Sequence, residues 1–306
     1  MGHVLSKALA FAAIIFLAFV LKKAGLFGPT DYRIMAKVVL NVTLPAAVIV
    51  SFATNTLDLS MLLVSLLGFV CNVAMLLAGF LLGRGKDKGL RALSTVCASG
   101  YNIGAFALPF AQSFLGAPGM MGACLFDAGN AIMCTGGSFA AADLMINGRG
   151  QNERLLPCIL KKLASSTPFL TYTLMFLLSL CRIQIPTAVA DFLQPIANAN
   201  AFCAMFMIGL MFEIKLKKET LRTVLLTVLL RTVSAAALSA VCYFALPLPL
   251  ATRQALALIV FAPPAAIAPV FTERCGGDAG AASCVSSLCI LTALIGMTVV
   301  LTMMNL

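Results

Sequence analysis

Charge is scarce in this chain. Asp, Glu, Lys and Arg make up 10% of its 306 residues, where soluble domains carry about a quarter. With 61% hydrophobic residues and a mean hydropathy of +1.03, an ordinary water-soluble domain is excluded and a polytopic membrane protein is predicted. Histidine is scarcer still, since the one copy, His3, sits at the extreme end. Serine hydrolysis therefore has no buried base, and an aspartyl protease lacks its second mid-depth carboxylate. The 11 cysteines lie scattered in apolar runs without Cys-x-x-Cys spacing. They are predicted to be small hydrophobes, with no disulfide, metal or other cofactor. Gly83–Gly89 (GRGKDKG) lacks the Gly-Lys-Ser/Thr ending of a phosphate loop, so it reads as a turn and offers no ATP coupling.

What the chain does have is long apolar runs, each near the roughly 20 residues that span a bilayer. Ten are predicted, at about 4–21, 34–54, 59–83, 91–115, 119–143, 156–181, 188–212, 220–246, 252–272 and 280–304. The connections between them are too short to hold a soluble domain. The first run is too long for a removable signal, and its basic residues follow rather than precede it.

The net charge of +10 is distributed by side. Lys22, Lys23, Arg33 and Lys37 follow the first span; Arg84, Lys86, Lys88 and Arg91 the third; Arg149, Arg154, Lys161 and Lys162 the fifth; Lys215, Lys217, Lys218 and Arg222 the seventh; and Arg274 the ninth. Only Lys7, Arg182 and Arg253 lie on the other side, with Arg231 inside the eighth span. The positive-inside rule then puts the odd connections in the cytoplasm and both termini outside. The basic excess is a topology signal and not a nucleic-acid footprint.

Two predicted spans carry prolines where a membrane helix should be unbroken. One holds Ser99–Phe110 (SGYNIGAFALPF), with Asn102, Gly104 and Pro109; the other holds Ile259–Phe271 (IVFAPPAAIAPVF), with Pro263, Pro264 and Pro269. Proline removes a donor and clashes with the preceding turn. Lipid cannot satisfy the freed backbone, so such breaks are expected only inside protein or beside a watery cavity. Paired interruptions in two halves point to the binding site of a secondary transporter.

The halves, 1–148 and 149–306, hold five predicted spans each, so the second enters the membrane in the opposite sense. Weak internal matches agree. Leu108-Pro109-Phe110 with Gly116 corresponds to Ala268-Pro269-Val270 with Gly276 at an offset of 160 residues, and Pro29-Thr30 before Asn41 to Pro186-Thr187 before Asn198. If the breaks meet at mid-depth, each offers a half-helix N-terminus of about +0.5 charge. Two such ends would cradle a small anion.

Four stretches stand out: Leu40-Asn41 with Leu44-Pro45-Ala46; Tyr101-Asn102 through Ala107-Leu108-Pro109; Ala204-Met205-Phe206 with Gly209-Leu210; and Ala262-Pro263 with Pro269-Val270-Phe271 and Gly276–Ala279. They resemble the auxin efflux carrier family, which includes plant PIN-type auxin exporters and bacterial carboxylate permeases. The resemblance covers nearly the whole chain. It implies an all-α fold of ten transmembrane helices, built as two inverted five-helix repeats with crossing broken helices 4 and 9. Spans 1, 2, 6 and 7 would form a scaffold, and spans 3–5 and 8–10 a transport domain moving elevator-fashion. It also implies a carboxylate-bearing substrate near Asn102 and a homodimer. The chain lacks the long cytoplasmic loop of the large plant exporters and doubles a proline at Pro263-Pro264. The first of these departures suits a compact member in a bacterial inner (plasma) membrane.

The candidate substrate-binding residues are Asn102, Gly104, Pro109, Pro263, Pro264, Asn41, Asp127, Asn130 and Arg231. Asn102 is either a ligand group or a cap for freed backbone. Asp127 lies about 12 Å into its span at 1.5 Å per residue. An uncompensated charge there costs about 2.5–3.5 kcal/mol. Arg231 lies at similar depth from the other side, so the two could pair. Alternatively Asp127 is a proton or cation site, or Arg231 an anion contact. Asn130 extends the polar face of Asp127 or bonds a neighbouring helix. Asn41, Asn198 and Asn200 belong to the predicted scaffold, where helix packing is the simpler role. Asp143, Glu213 and Glu273 are expected in solvent. Gly79-x-x-x-Gly83 and Gly276-x-x-x-Gly280 are candidate close contacts.

The leading reading is a secondary transporter of small organic anions, carboxylates or auxin-like acids, with a proton or sodium as possible coupling ion. A sodium-coupled bile-acid-type symporter of related fold is the alternative, and an intramembrane enzyme ranks last.

Overall fold

A computed structural model describes residues 2–53, 62–148, 155–213 and 217–304, and among these no strand occurs. Arg149, Arg154 and Lys215, part of the charge asymmetry, lie outside the described residues. Helix α1 (Gly2–Lys23) ends on Lys22 and Lys23, cations suited to the negative end of a helix dipole. Next, α2 (Tyr32–Val38) and α3 (Leu44–Ala53) form one 22-residue helix through a widened π turn at Val39–Thr43. Pro45 explains the widening. A helical proline has no N–H and collides with the carbonyl four residues back, here that of Asn41; a π turn relieves the crowding. The same device, Ile103–Ala107, precedes Pro109.

Two helices follow, α4 (Leu62–Leu82) and α5 (Lys88–Ala98). The Asp87 carboxylate caps α5, accepting from the Leu90 amide at 2.9 Å. After a break at 99–102 come the π turn, the short α6 (Leu108–Phe110) and a second π turn at Ala111–Leu115. The chain continues as α7 (Gly116–Ile132), bends at Gly136 and resumes as α8 (Ser138–Asn147). A 75° bend separates α9 (Leu155–Ala164) from α10 (Thr167–Leu180). Then come α11 (Thr187–Met211), α12 (Lys218–Phe244), α13 (Leu250–Ile259), α14 (Ala268–Arg274) and α15 (Ala279–Met303). A second break, 260–267, separates α13 from α14.

Among the described residues, six helices are long and apolar enough to cross a membrane, and the bent α9–α10 pair makes a possible seventh. The stretches 91–115, 119–143 and 252–272 hold interrupted helices instead of continuous ones. The causes are the sequence punctuation itself: Gly100 in a left-handed conformation (φ 70°) and the non-helical Gly136, and the Pro263-Pro264 pair, which supplies no amide.

Two packing groups follow from the contacts. In one, α11 lies against α1, α2 and α3, and α10 against α3; in the other, α4 lies against α5 and α7, and α12 against α5, α13 and α15, with α14 on α15. Between helices in lipid, close backbone approach matters more than apolar burial. Glycine permits it at the α4–α7 crossing. A Cβ on Gly129 would fall 1.8 Å from the Ser65 carbonyl oxygen, and one on Gly68 2.3 Å from that of Phe126. Gly79 and Gly83 likewise meet α5, whereas a Cβ at Gly276 would meet nothing within 4 Å. Asp143, expected in solvent, is buried and accepts from Asn147 Nδ2 at 2.7 Å. Glu213 and Glu273 are exposed, as expected.

Candidate functional site

The two interruptions touch. The Asn102 backbone amide donates to the Pro263 carbonyl at 2.9 Å, and a Cβ on Gly100 would lie 3.3 Å from that of Ala265. Unwound backbone from one break thus satisfies unwound backbone from the other, where lipid could not.

Arg231 closes the rest of the gap. From α12 its Nη1 donates to the carbonyls of Ala98 at 2.5 Å, Cys97 at 3.2 Å and Ser99 at 3.4 Å, and its Nη2 to that of Ala262 at 2.7 Å. These carbonyls end α5 and follow α13, where the last turn leaves acceptors unpaired and the dipole is negative. The guanidinium also lies 5.0 Å from the Tyr101 ring centre, in cation–π range. The expected alternative, an Asp127–Arg231 pair, does not form. Equal depth in the bilayer did not mean proximity, because orphan carbonyls compete for the same cation.

Two asparagines hold the first break in shape. Asn130 Nδ2 donates to the Tyr101 carbonyl and to Asp127 Oδ1, both at 2.8 Å, while its Oδ1 accepts from the Tyr101 amide at 3.0 Å. Asn72 Nδ2 donates to Asn130 Oδ1 at 3.1 Å, and Asn72 Oδ1 accepts from the Gly100 amide at 2.8 Å. Asn130 uses both of its donor hydrogens in this way. It is a strut for Tyr101 and not an open ligand group.

Beside the break lies a cavity of about 260 Å³ between the packing groups. Tyr32, Tyr172, Met207 and Met211 line it from α2, α10 and α11, facing Tyr101–Ala105, Asp127, Asn130 and Ala265–Ile267. Gly104 and Ala105 stand in the first turn of the helix after the break, where amides have no partner within the helix. The Asn102 carboxamide has no hydrogen-bond partner among the described residues. Asp127, buried on α7, accepts from the Tyr172 hydroxyl at 3.0 Å. A Cβ on Gly104 would lie 3.4 Å from Asp127 Oδ2 and 3.6 Å from the Tyr172 oxygen, at ordinary contact distance, so this first turn runs directly beside that pair. A larger cavity of about 660 Å³, lined by Lys22, Lys23 and Glu213, shares Tyr32, Met211 and Ala266 with the first.

Of the nine candidates, Asn102, Gly104, Asp127 and Asn130 line the cavity. Pro263 joins the breaks through its carbonyl, and Arg231 through four acceptors. Pro109 and Pro264 are buried away from the cavity. Asn41 is exposed; it donates to the Lys37 carbonyl at 2.9 Å and accepts from Thr167 at 2.6 Å. Asn200 packs between Thr43 and Gln112, and Asn198 accepts from Gln194 on the surface. Sequence reasoning missed Tyr32, Tyr101 and Tyr172. The signal was rarity: the chain has four tyrosines against 21 phenylalanines, and three of the four line this cavity.

Residues 3–303 match the family described as membrane transport protein. No curated protein matches the chain.

Proposed function

Because the chain belongs to the auxin efflux carrier family of membrane transport proteins, we propose that it is a secondary transporter carrying small organic anions by alternating access. The observation that carries this reading is the Asn102–Pro263 backbone bond. It joins two unwound segments beside a cavity that holds an unpartnered carboxamide. Such a site is polar enough to replace a solute's water yet has room to release it.

In this reading the ten predicted spans form two inverted repeats, 1–148 and 149–306. The group of α1–α3 with α9–α11 is the scaffold, and the group of α4–α8 with α12–α15 moves against it. The cavity's position between the two groups supports an elevator-type motion. The basic connections face the cytoplasm, and the Lys22–Lys23 cavity is then the cytoplasmic approach that draws anions in. A homodimer of such carriers completes the proposal. The sodium-coupled symporter is disfavoured by Arg231, which already occupies the helix-end carbonyls.

Uptake of labelled carboxylates into proteoliposomes, with proton and sodium gradients imposed separately, tests the reading. Asn102→Ala should lower flux while the protein still inserts and folds. Full flux in that variant would remove Asn102 from the site.

A further inference from the structure

The cavity assigned to an anion already contains a carboxylate. Asp127 lines it, and no lysine or arginine does among the described residues. Two like charges side by side in one pocket repel, and protonating one of them relieves the repulsion. No cation bonds to Asp127 to relieve this: Arg231, 5.0 Å from the Tyr101 ring, is turned onto four carbonyls. Tyr172 faces Asp127 from α10, Tyr101 from the break through Asn130, and Cys124 and Cys134 from its own segment. Helices α3 and α4 carry no acidic or basic residue. On α13, Arg253 donates to the Tyr243 carbonyl at 3.0 Å; Lys161 and Lys162 of α9 are exposed.

The contacts of Asp127 suit a group that changes its proton count in place. At 3.0 Å the Tyr172 hydroxyl donates to the carboxylate. By turning its O–H it accepts instead from the protonated acid, with no heavy atom moving. Asn130 donates to Oδ1 in either state. The other common coupling site is unavailable to sodium. Broken-helix carriers hold sodium on unwound carbonyls and half-helix C-termini, and here those of Cys97, Ala98, Ser99 and Ala262 hold the Arg231 guanidinium.

We propose that Asp127 is the coupling site, carrying one proton with each organic anion, and that Arg231 stands as a fixed cation where a sodium ion would otherwise bind. This rests on the organic-anion reading above. The proton comes from water on the loading side, rides on Asp127 as the neutral acid, and returns to water when the anion leaves.

The test uses the full chain in proteoliposomes with a pH-sensitive dye inside, the membrane potential clamped, and labelled lactate, succinate or indole-3-acetate outside. An inward proton gradient should drive accumulation toward the imposed proton ratio and acidify the lumen, while a sodium gradient drives none. Asp127→Asn should lose gradient-driven accumulation yet still exchange labelled for unlabelled anion, since its amide holds the neutral state. If that variant fails to insert, Tyr172→Phe serves instead, and an unchanged pH profile of uptake there overturns the proposal. Transport without lumen acidification, or sodium-driven uptake, overturns the coupling alone. If none of the three anions is carried, the organic-anion reading falls and this inference falls with it.

Discussion

The Tyr172 hydroxyl reaches across from α10 to Asp127 on α7, 3.0 Å away, and so ties together two helices that belong to different packing groups. Any sliding of one group against the other must break this bond. Removing it with Tyr172→Phe should cost about 1.5–3 kcal/mol, the usual range for a hydrogen bond to a charged group. A lowered melting temperature in detergent is the expected readout, and an unchanged one would mean that water replaces the hydroxyl without loss.

Arg231 offers a harsher test. Arg231→Met leaves four carbonyls without their donor, each costing about 1–3 kcal/mol when buried and unpaired. The variant should fail to give a monodisperse peak on size exclusion. Arg231→Lys should rescue only in part, because a single ammonium lacks the fork that serves Ala98 and Ala262 at once. Equal behaviour of the lysine variant and the parent would show that charge alone suffices.

Close packing at the α4–α7 crossing predicts intolerance of one methyl group. Gly129→Ala would set a Cβ 1.8 Å from the Ser65 oxygen and force the helices apart. Overpacking of this kind costs about 1–3 kcal/mol. The break is strutted by Asn72 from α4 and Asn130 from α7, so transport should fall along with stability. Wild-type melting and uptake in Gly129→Ala would contradict the drawn crossing.

Outside the membrane-crossing helices, Asp278 caps α15 through the Gly280 and Ala281 amides and pairs with Lys217 at 2.6 Å. The Lys217 bond, then the amides, hold its carboxyl below the ordinary 3.8. A depressed folded value stabilises above the unfolded one, so the contribution is full above about pH 4. It is lost as pH falls through the folded value. Asp278→Ala should cost about 1 kcal/mol at neutral pH, as N-cap losses do. The difference from the parent should shrink in acid-scan melting curves; a constant gap across the scan would point to packing instead.

The interruptions and their consequence were legible in the sequence, because proline and glycine act locally whatever the surroundings. Pro263 and Asn102 sit where the punctuation put them, and they meet. The partners were not legible. Asp127 and Arg231 share a depth, but only three-dimensional packing shows that orphan carbonyls claim the arginine and that Tyr172 and Asn130 claim the aspartate. Asn130 could be counted as a ligand or as a brace until its hydrogen bonds to Asn72, Asp127, Cys134 and both backbone groups of Tyr101 were visible. Asn41 was placed by motif in the neighbourhood of the site, but its helix turns it outward. The π turns before Pro45 and Pro109 also escaped notice, since a widened turn leaves the apolar pattern nearly unchanged.

The chain has no tryptophan, so its ultraviolet emission comes from tyrosine, and Tyr32, Tyr101 and Tyr172 surround one cavity. The protein therefore carries its own optical gauge of that chamber. Solute occupancy can be titrated on unlabelled material, with Tyr243 on α12 as the one distant contributor to the background.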